Sequence, residues 1–302
     1  MKKAYRANLQ LGRANITKLH TVNKIISEYA AQGYNLTLRQ LYYQLVSRDI
    51  IPNKDAEYSK LSTLLVKGRM AGVVDWNAIE DRIRVPNIPY WVKDIPDALQ
   101  DTIDAYRLDR QKGQEVYIEV WVEKDALSNV LKRITHHYHI KLMVNRGYSS
   151  CTAMHDAYKR IDRALLDVDR TEAVILYLGD HDPSGLDMVR DIRERLEEFG
   201  LDDMQLTVKH IALTKDQIDE YDPPPNPAKL TDPRSRWYLD KHGDTSWEVD
   251  ALPPDTLHEI IGKEVEELID MSLFNSMIKL EEKYKKELQT FVSKHNKKGR
   301  KK

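Results

Sequence analysis

The sequence predicts an α/β protein with an α-rich N-terminal part, a parallel-sheet domain in its middle and helices towards its C-terminal end. Three observations lead there. Apolar, β-rich runs at 116–122, 140–144 and 173–177 are separated by helical stretches, the pattern of a parallel sheet built from βαβ units. Residues 15–70 carry apolar side chains at helical spacing instead. From Asp255 to about Val292 the helical spacing returns.

Each element has a local cause. Ile16, Leu19, Val22, Ile25, Ile26 and Tyr29 share one helix face, and Gly33 is placed to end that helix. Thr37 is an N-cap for Leu38–Val46, and Ile51-Pro52-Asn53 breaks the chain. A third helix is expected from Asp55 to Met70, with Tyr58, Leu61, Leu64 and Leu65 inward and Gly72 as its stop. Residues 73–76 and 82–85 are candidates for a wing, so residues 1–92 are expected to form a winged-helix module that grips duplex DNA. A linker and helix follow at 93–114, then the parallel-sheet domain at 115–213. Residues 214–293 hold a proline-rich strap and the C-terminal helices, with 219–237 expected as loop, 246–249 as a short strand, and 294–302 as a basic tail.

Composition narrows the function. A chain of 302 residues has room for two cores, and 31% charged with 41% hydrophobic residues suits a soluble protein. There is no span-length apolar run and no apolar signal core after Met1, and Cys151 is the only cysteine. A cytoplasmic location is expected, nucleoid-associated if the host is a prokaryote. The net charge of −1 hides an asymmetry, because residues 1–92 hold 14 Lys/Arg against 7 Asp/Glu. The last nine residues add six cations, and residues 93–293 hold 27 basic against 41 acidic residues. A basic module beside an acidic one fits a protein that grips phosphates with one part and holds metal with the other.

The acidic module shows where. Ala173–Tyr177 leads into Leu178-Gly179-Asp180-His181-Asp182-Pro183-Ser184-Gly185, and a helix follows. Residues i and i+2 of an extended chain point the same way, so Asp180 and Asp182 repel unless a cation lies between them or they serve as turn and cap residues. A hard divalent cation with oxygen ligands is one solution. The run 116–122 ends at a third carboxylate, Glu123. Strand–Glu followed by strand–Asp-x-Asp resembles the Toprim domain, a small Rossmann-like parallel sheet. That resemblance implies Mg²⁺ held by Glu123, Asp180 and Asp182.

Thr37-Leu38-Arg39-Gln40-Leu41-Tyr42-Tyr43 resembles the nucleophile helix of the topoisomerase VI A-subunit family, which includes the meiotic double-strand-break transesterases. There a Thr-x-Arg-x-x-aromatic-Tyr segment lies in a winged helix ahead of a Toprim domain. Asn145-Arg146-Gly147-Tyr148, Trp247-Glu248-Val249 and Ala251-Leu252-Pro253-Pro254 also stand where that family has similar segments. The resemblance implies that Tyr43 attacks DNA and forms a 5′-phosphotyrosine link, with Arg39 facing the same phosphate. Chemically, a phenol of pKa about 10 is a poor nucleophile, and a guanidinium four residues earlier on a helix eases its ionisation. Lys67, Arg69 and Arg146 are expected to contact DNA, with Arg39, Lys67 and Arg69 along one groove.

Two alternatives stand beside this. Toprim nucleases, such as the nuclease subunit of SMC-based plasmid-defence systems of the Wadjet type, cut by hydrolysis, and Tyr43 would then be structural. A non-catalytic DNA-binding subunit is the third. A double-strand break needs two nucleophiles on opposite strands, so a C₂ homodimer is expected. By resemblance each Tyr43 would complete its partner's metal site, too far from Glu123 and Asp180 of its own chain to share a phosphate with them. No Gly-x-x-x-x-Gly-Lys-Ser/Thr is present, so ATP-driven strand passage would take a separate ATPase subunit.

Overall fold

The computed structural model describes residues 4–6, 9–80, 89–145, 147–227 and 235–299. It begins with α1 (Arg13–Ala31), β1 (Leu36–Thr37), α2 (Leu38–Ser47), α3 (Asp55–Met70) and β2 (Ile79–Glu80). Gly33, at φ 83°, makes the left-handed turn that ends α1. Thr37 then starts α2 with a reciprocal cap: its Oγ1 accepts from Gln40 N at 3.2 Å, and Gln40 Oε1 accepts from Thr37 N at 2.9 Å. Leu19, Val22, Leu41, Leu45, Leu61 and Leu64 pack the three helices into one core. Only part of the expected wing is described. Residues 73–76 turn into a 3₁₀ segment at Trp76–Ala78, and 82–85 lie outside the described residues. The pairing seen here is parallel, β1 with β2, over two residues.

After α4 (Ile95–Ala105) comes the α/β body: β3 (Val116–Val122), α5 (Ser128–Tyr138), β4 (Lys141–Val144), α6 (Cys151–Leu165), β5 (Glu172–Leu178), α7 (Pro183–Glu198) and β6 (Leu206–Ala212). The four strands are all parallel, in the order β4-β3-β5-β6, as a Rossmann-like domain requires. Side chains alternate across the sheet. Ile118, Val120, Val122, Val174 and Leu176 meet Val130 and Leu131 of α5 on one face. Tyr117, Trp121, Ile175 and Tyr177 meet Met154 and Ile161 of α6 and Met188 and Ile192 of α7 on the other. The chain leaves β3 towards β4 and later returns on the opposite side through β5 and β6. The crevice between the C-terminal ends of β3 and β5 is therefore the switch point, where ligands of such sheets bind.

The remainder closes over that crevice. α8 (Lys215–Tyr221) occupies the start of the stretch expected as loop, residues 228–234 lie outside the described residues, and α9 (Ser235–His242) follows. β7 (Asn226–Pro227) pairs antiparallel with β8 (Thr245–Ser246). The single C-terminal helical stretch is two helices, α10 (Pro254–Leu268) and α11 (Met271–Gly299), broken at 269–270. Among the described residues no helix is long and apolar enough to cross a membrane.

Candidate functional site

The site begins with α2. The Thr37 cap sets the helix phase, so Arg39 and Tyr43 share a face, with Arg39 Nη2 donating to Tyr43 Oη at 3.3 Å. Both adjacent tyrosine rings are buried, and what their hydroxyls meet separates them. Tyr42 Oη donates to Asn53 Oδ1 at 2.9 Å and accepts from Lys54 N at 2.8 Å, which ties down the turn after α2. Tyr43 Oη donates instead to Glu248 Oε2 at 2.7 Å.

The strand ends supply the acids. Glu123 follows β3 and Asp180 follows β5, and Asp180 N donates to Glu123 Oε2 at 3.4 Å. Asp180 Oδ1 accepts from Val249 N at 2.9 Å and from Lys124 Nζ at 2.8 Å. Asp182 has the capping role left open for it: its Oδ1 accepts from Gly185 N at 2.7 Å and starts α7. Gly185 is required there, because a Cβ would run into the Asp180 carbonyl. His181 points the other way, into Tyr238, His242 and Trp247. Its backbone exchanges two hydrogen bonds with Trp247, of 2.8 and 3.1 Å, and so holds 246–250 against the strand ends.

Three site residues stand outside the sequence-based set: Lys124, Glu248 and Asp250. The Lys124 ammonium spends its three protons on Asp180 Oδ1, Glu248 Oε2 and Asp250 Oδ1, each at 2.8 Å. Arg39 pairs with Glu248 and, through Nε at 2.7 Å, with Asp250. A signal for them existed: Lys124 directly follows Glu123, and Glu248 and Asp250 repeat the i, i+2 spacing of Asp180 and Asp182.

Arg39 and Tyr43 line a pocket of about 460 Å³ together with Asp180, Asp182 and Glu248, while Lys124 and Asp250 lie outside its lining. Tyr43 was expected to lie too far from Glu123 and Asp180 of its own chain to share a phosphate with them; it lines the same pocket as Asp180, with two side chains between them, and Glu123 is not in that lining. Tyr43 reaches Asp180 through Glu248 and Lys124 alone, because the segment carrying Glu248 is built into both halves of the molecule. The cations expected along one groove lie in different settings. Arg39 belongs to this pocket, whereas Lys67 lines a separate groove of about 410 Å³ with Lys18 and Lys60. Arg69 turns inward, donating to Ile79 O at 2.9 Å. Arg146 lies outside the described residues.

The electrostatics are lopsided. Burial, then Asp250 and Glu248, push the Tyr43 phenol up, and only Arg39 pulls it down. Burial also opposes the Glu248 carboxylate, but Lys124 and Arg39 overcome it and hold that group down at about 2. Asp180 goes the other way. Burial above all, with Glu123 and Asp250, pushes it up to about 7 against the pull of Lys124. The acids outnumber the cations, so a phosphate entering this pocket would meet net negative charge. Among the described residues no three His, Cys, Asp or Glu side chains converge to hold a metal ion unaided. Mg²⁺ commonly takes only one or two carboxylates plus substrate phosphate oxygens, and the Glu123–Asp180 pair fits that demand. No family model, curated protein or solved structure matches this chain.

Proposed function

We propose that this protein is a metal-dependent DNA-cleaving transesterase, a winged-helix module joined to a Toprim domain, in which Tyr43 forms a 5′-phosphotyrosine link. The supporting observation is the pocket that brings Tyr43 and Arg39 to the strand-end carboxylates Asp180 and Asp182. Tyr43 Oη attacks phosphorus, the P–O3′ bond breaks, and the 3′ oxygen leaves as a hydroxyl while the phenol proton passes to solvent. Arg39 serves by exchanging Glu248 for a phosphate oxygen, which removes the carboxylate that disfavours phenolate and keeps the guanidinium that favours it. Glu123 and Asp180 would hold Mg²⁺, which supplies charge neutralisation at the phosphate and the leaving oxygen. Lys18, Lys60 and Lys67 offer a second, backbone-gripping contact to duplex DNA. A double-strand break then takes two copies on the duplex dyad, and strand passage takes a separate ATPase subunit.

The test is the chemistry of the ends. Supercoiled DNA incubated with protein and Mg²⁺, then denatured, should carry protein on its 5′ ends, and the Tyr43→Phe variant should leave none. Free ends from the wild type would overturn the proposal. One observation favours a hydrolytic nuclease: Tyr43 is only 5% exposed and its phenol is pushed up, as in a structural tyrosine. Free 5′-phosphates that persist in Tyr43→Phe would establish that second reading. DNA bound in EDTA and never cut would leave a binding subunit.

A further inference from the structure

We infer that the turn between β4 and α6 binds a phosphate group, with the amide of Asn145 and the hydroxyl of Ser149 as uncharged ligands. β4 ends at Val144, Gly147 makes a left-handed turn at φ 85°, and Ser150 caps α6, its Oγ accepting from Ala153 N at 3.1 Å. The first N–H groups of a 15-residue helix thus stand at the carboxyl end of a parallel strand, where such sheets take anions. A helix end alone is common. What marks this one is two polar side chains, Asn145 at 8% and Ser149 at 9% exposed. Neither Nδ2 nor Oδ1 of Asn145, nor Oγ of Ser149, has a hydrogen-bond partner among the described residues.

The strand period gives the direction. Leu142 and Val144 pack on the α5 face of the sheet, and Met143 packs on the α6–α7 face. Asn145 N still donates to Val122 O at 2.8 Å, so the ladder runs on and Asn145 follows Met143 to the side from which α6 starts. Continuing the Val122–Val144 register puts Asn145 beside Glu123, about 4.8 Å away across one strand spacing. The turn is fastened to α7, where Arg195 Nη1 donates to Ser149 O at 2.7 Å and Tyr148 Oη to Asp187 Oδ2 at 2.8 Å. Those bonds leave the amide and the hydroxyl unused. A buried polar group without a partner weakens the ligand-free chain. Both groups can donate, as the helix N–H groups do, and phosphate oxygens accept; a cation would meet the positive end of the α6 dipole. A backbone phosphate of DNA and a free phosphate ion share this chemistry. The place beside Glu123 favours the DNA phosphate, and that choice of source rests on the function proposed above.

Two variants test the site. Asn145→Leu keeps the shape and removes both polar atoms, and Ser149→Ala removes the hydroxyl. In phosphate-free buffer both should melt at or above the wild-type Tm, because each deletes an unpaired buried group. A Tm several degrees lower in either would mark these side chains as structural and overturn the inference. Inorganic phosphate, titrated in EDTA and again in Mg²⁺ and followed by ³¹P NMR, should bind the wild type and slow amide exchange over residues 147–153. The double variant should raise that Kd about tenfold or more. No binding by the wild type in either buffer, or an equal Kd in the double variant, would overturn the inference and leave the covalent-adduct test untouched. For duplex DNA the double variant should raise Kd about threefold or more with the salt slope unchanged, since uncharged ligands release no counter-ions. Phosphate binding lost with duplex Kd unchanged would keep the site and overturn DNA as its source. Free 5′ ends from a wild type that binds phosphate would overturn the transesterase and not this site.

Discussion

Two buried carboxylates, one within a strand of the sheet and one just past the end of its neighbour, do opposite things. Glu119, in the middle of β3, is 0% exposed. It accepts from Arg160 Nε at 2.7 Å and Nη2 at 2.9 Å, from Trp121 Nε1 at 2.9 Å and from the Tyr117 hydroxyl. One negative group meets one positive group, and its lone pairs are occupied. Asp180, beyond the end of β5, shares one ammonium with Glu248 and Asp250 and lies beside Glu123, which leaves it pushed up to about 7. The difference is charge balance. A buried carboxylate with its own bidentate arginine is charge-balanced, and one that shares its counter-ion with two other carboxylates is not.

That contrast can be broken at either end. The largest effect is expected at Tyr43→Phe, which removes one oxygen: adduct formation should fall by at least about 10³-fold, measured on denaturing gels. Loss of the bond to Glu248 should cost only about 1–3 kcal/mol in urea unfolding. At the structural carboxylate the pattern reverses. Arg160→Ala should cost about 3–5 kcal/mol, because Glu119 is left buried without its partner, and adduct yield per folded molecule should not change. A variant as stable as wild type would show that Glu119 is not the closed structural pair described above.

The pH dependence sharpens the comparison. Glu248 is held down at about 2 in the folded chain against 4.5 for a free carboxyl. Its contribution is therefore complete above 4.5 and is lost as pH falls towards 2. Glu248→Gln should flatten the acid limb of the stability curve by an amount on the order of 1–3 kcal/mol, read from urea midpoints between acid and neutral pH. Asp180 has the opposite sign. Its carboxyl is pushed up from 3.8 to about 7, so its ionisation costs stability progressively across that interval. In metal-free buffer at pH 8, Asp180→Asn should leave Tm unchanged or raise it by a few degrees, the smallest effect of the four. A fall of several degrees would mean that the Lys124 contact outweighs the repulsion from Glu123 and Asp250.

Much of this was legible along the chain, for a local reason. The Thr37 cap and the 3.6-residue period place Arg39 over Tyr43 without help from elsewhere. The two-residue period of a strand sends Asp180 and Asp182 to one side and His181 to the other. Expectations failed where the outcome depended on a distant partner. Arg69 looks like a DNA-facing cation on α3, yet the carbonyl of Ile79 claims it. One miss was local: Asp219–Trp237 reads as loop from its prolines, yet the helix Lys215–Tyr221 runs into it from a Thr214 cap whose Oγ1 accepts from Gln217 N at 3.3 Å.

The sequence by itself determined the elements and the direction in which their side chains point: strands ending in Glu123 and Asp180, and a capped helix with Arg39 and Tyr43 on one face. These follow from backbone periods and caps that act over a few residues. Only the tertiary structure decided that the two sets meet within one chain, and that Lys124, Glu248 and Asp250 join them. Glu248 stands 205 residues from Tyr43, and no local rule relates them. Their meeting depends on Val249 and Leu252 burying in one core while Ala251 buries in another. Burial is non-directional and long-range along the chain, so the partner of a charged side chain is settled only when the apolar residues beside it have found their places.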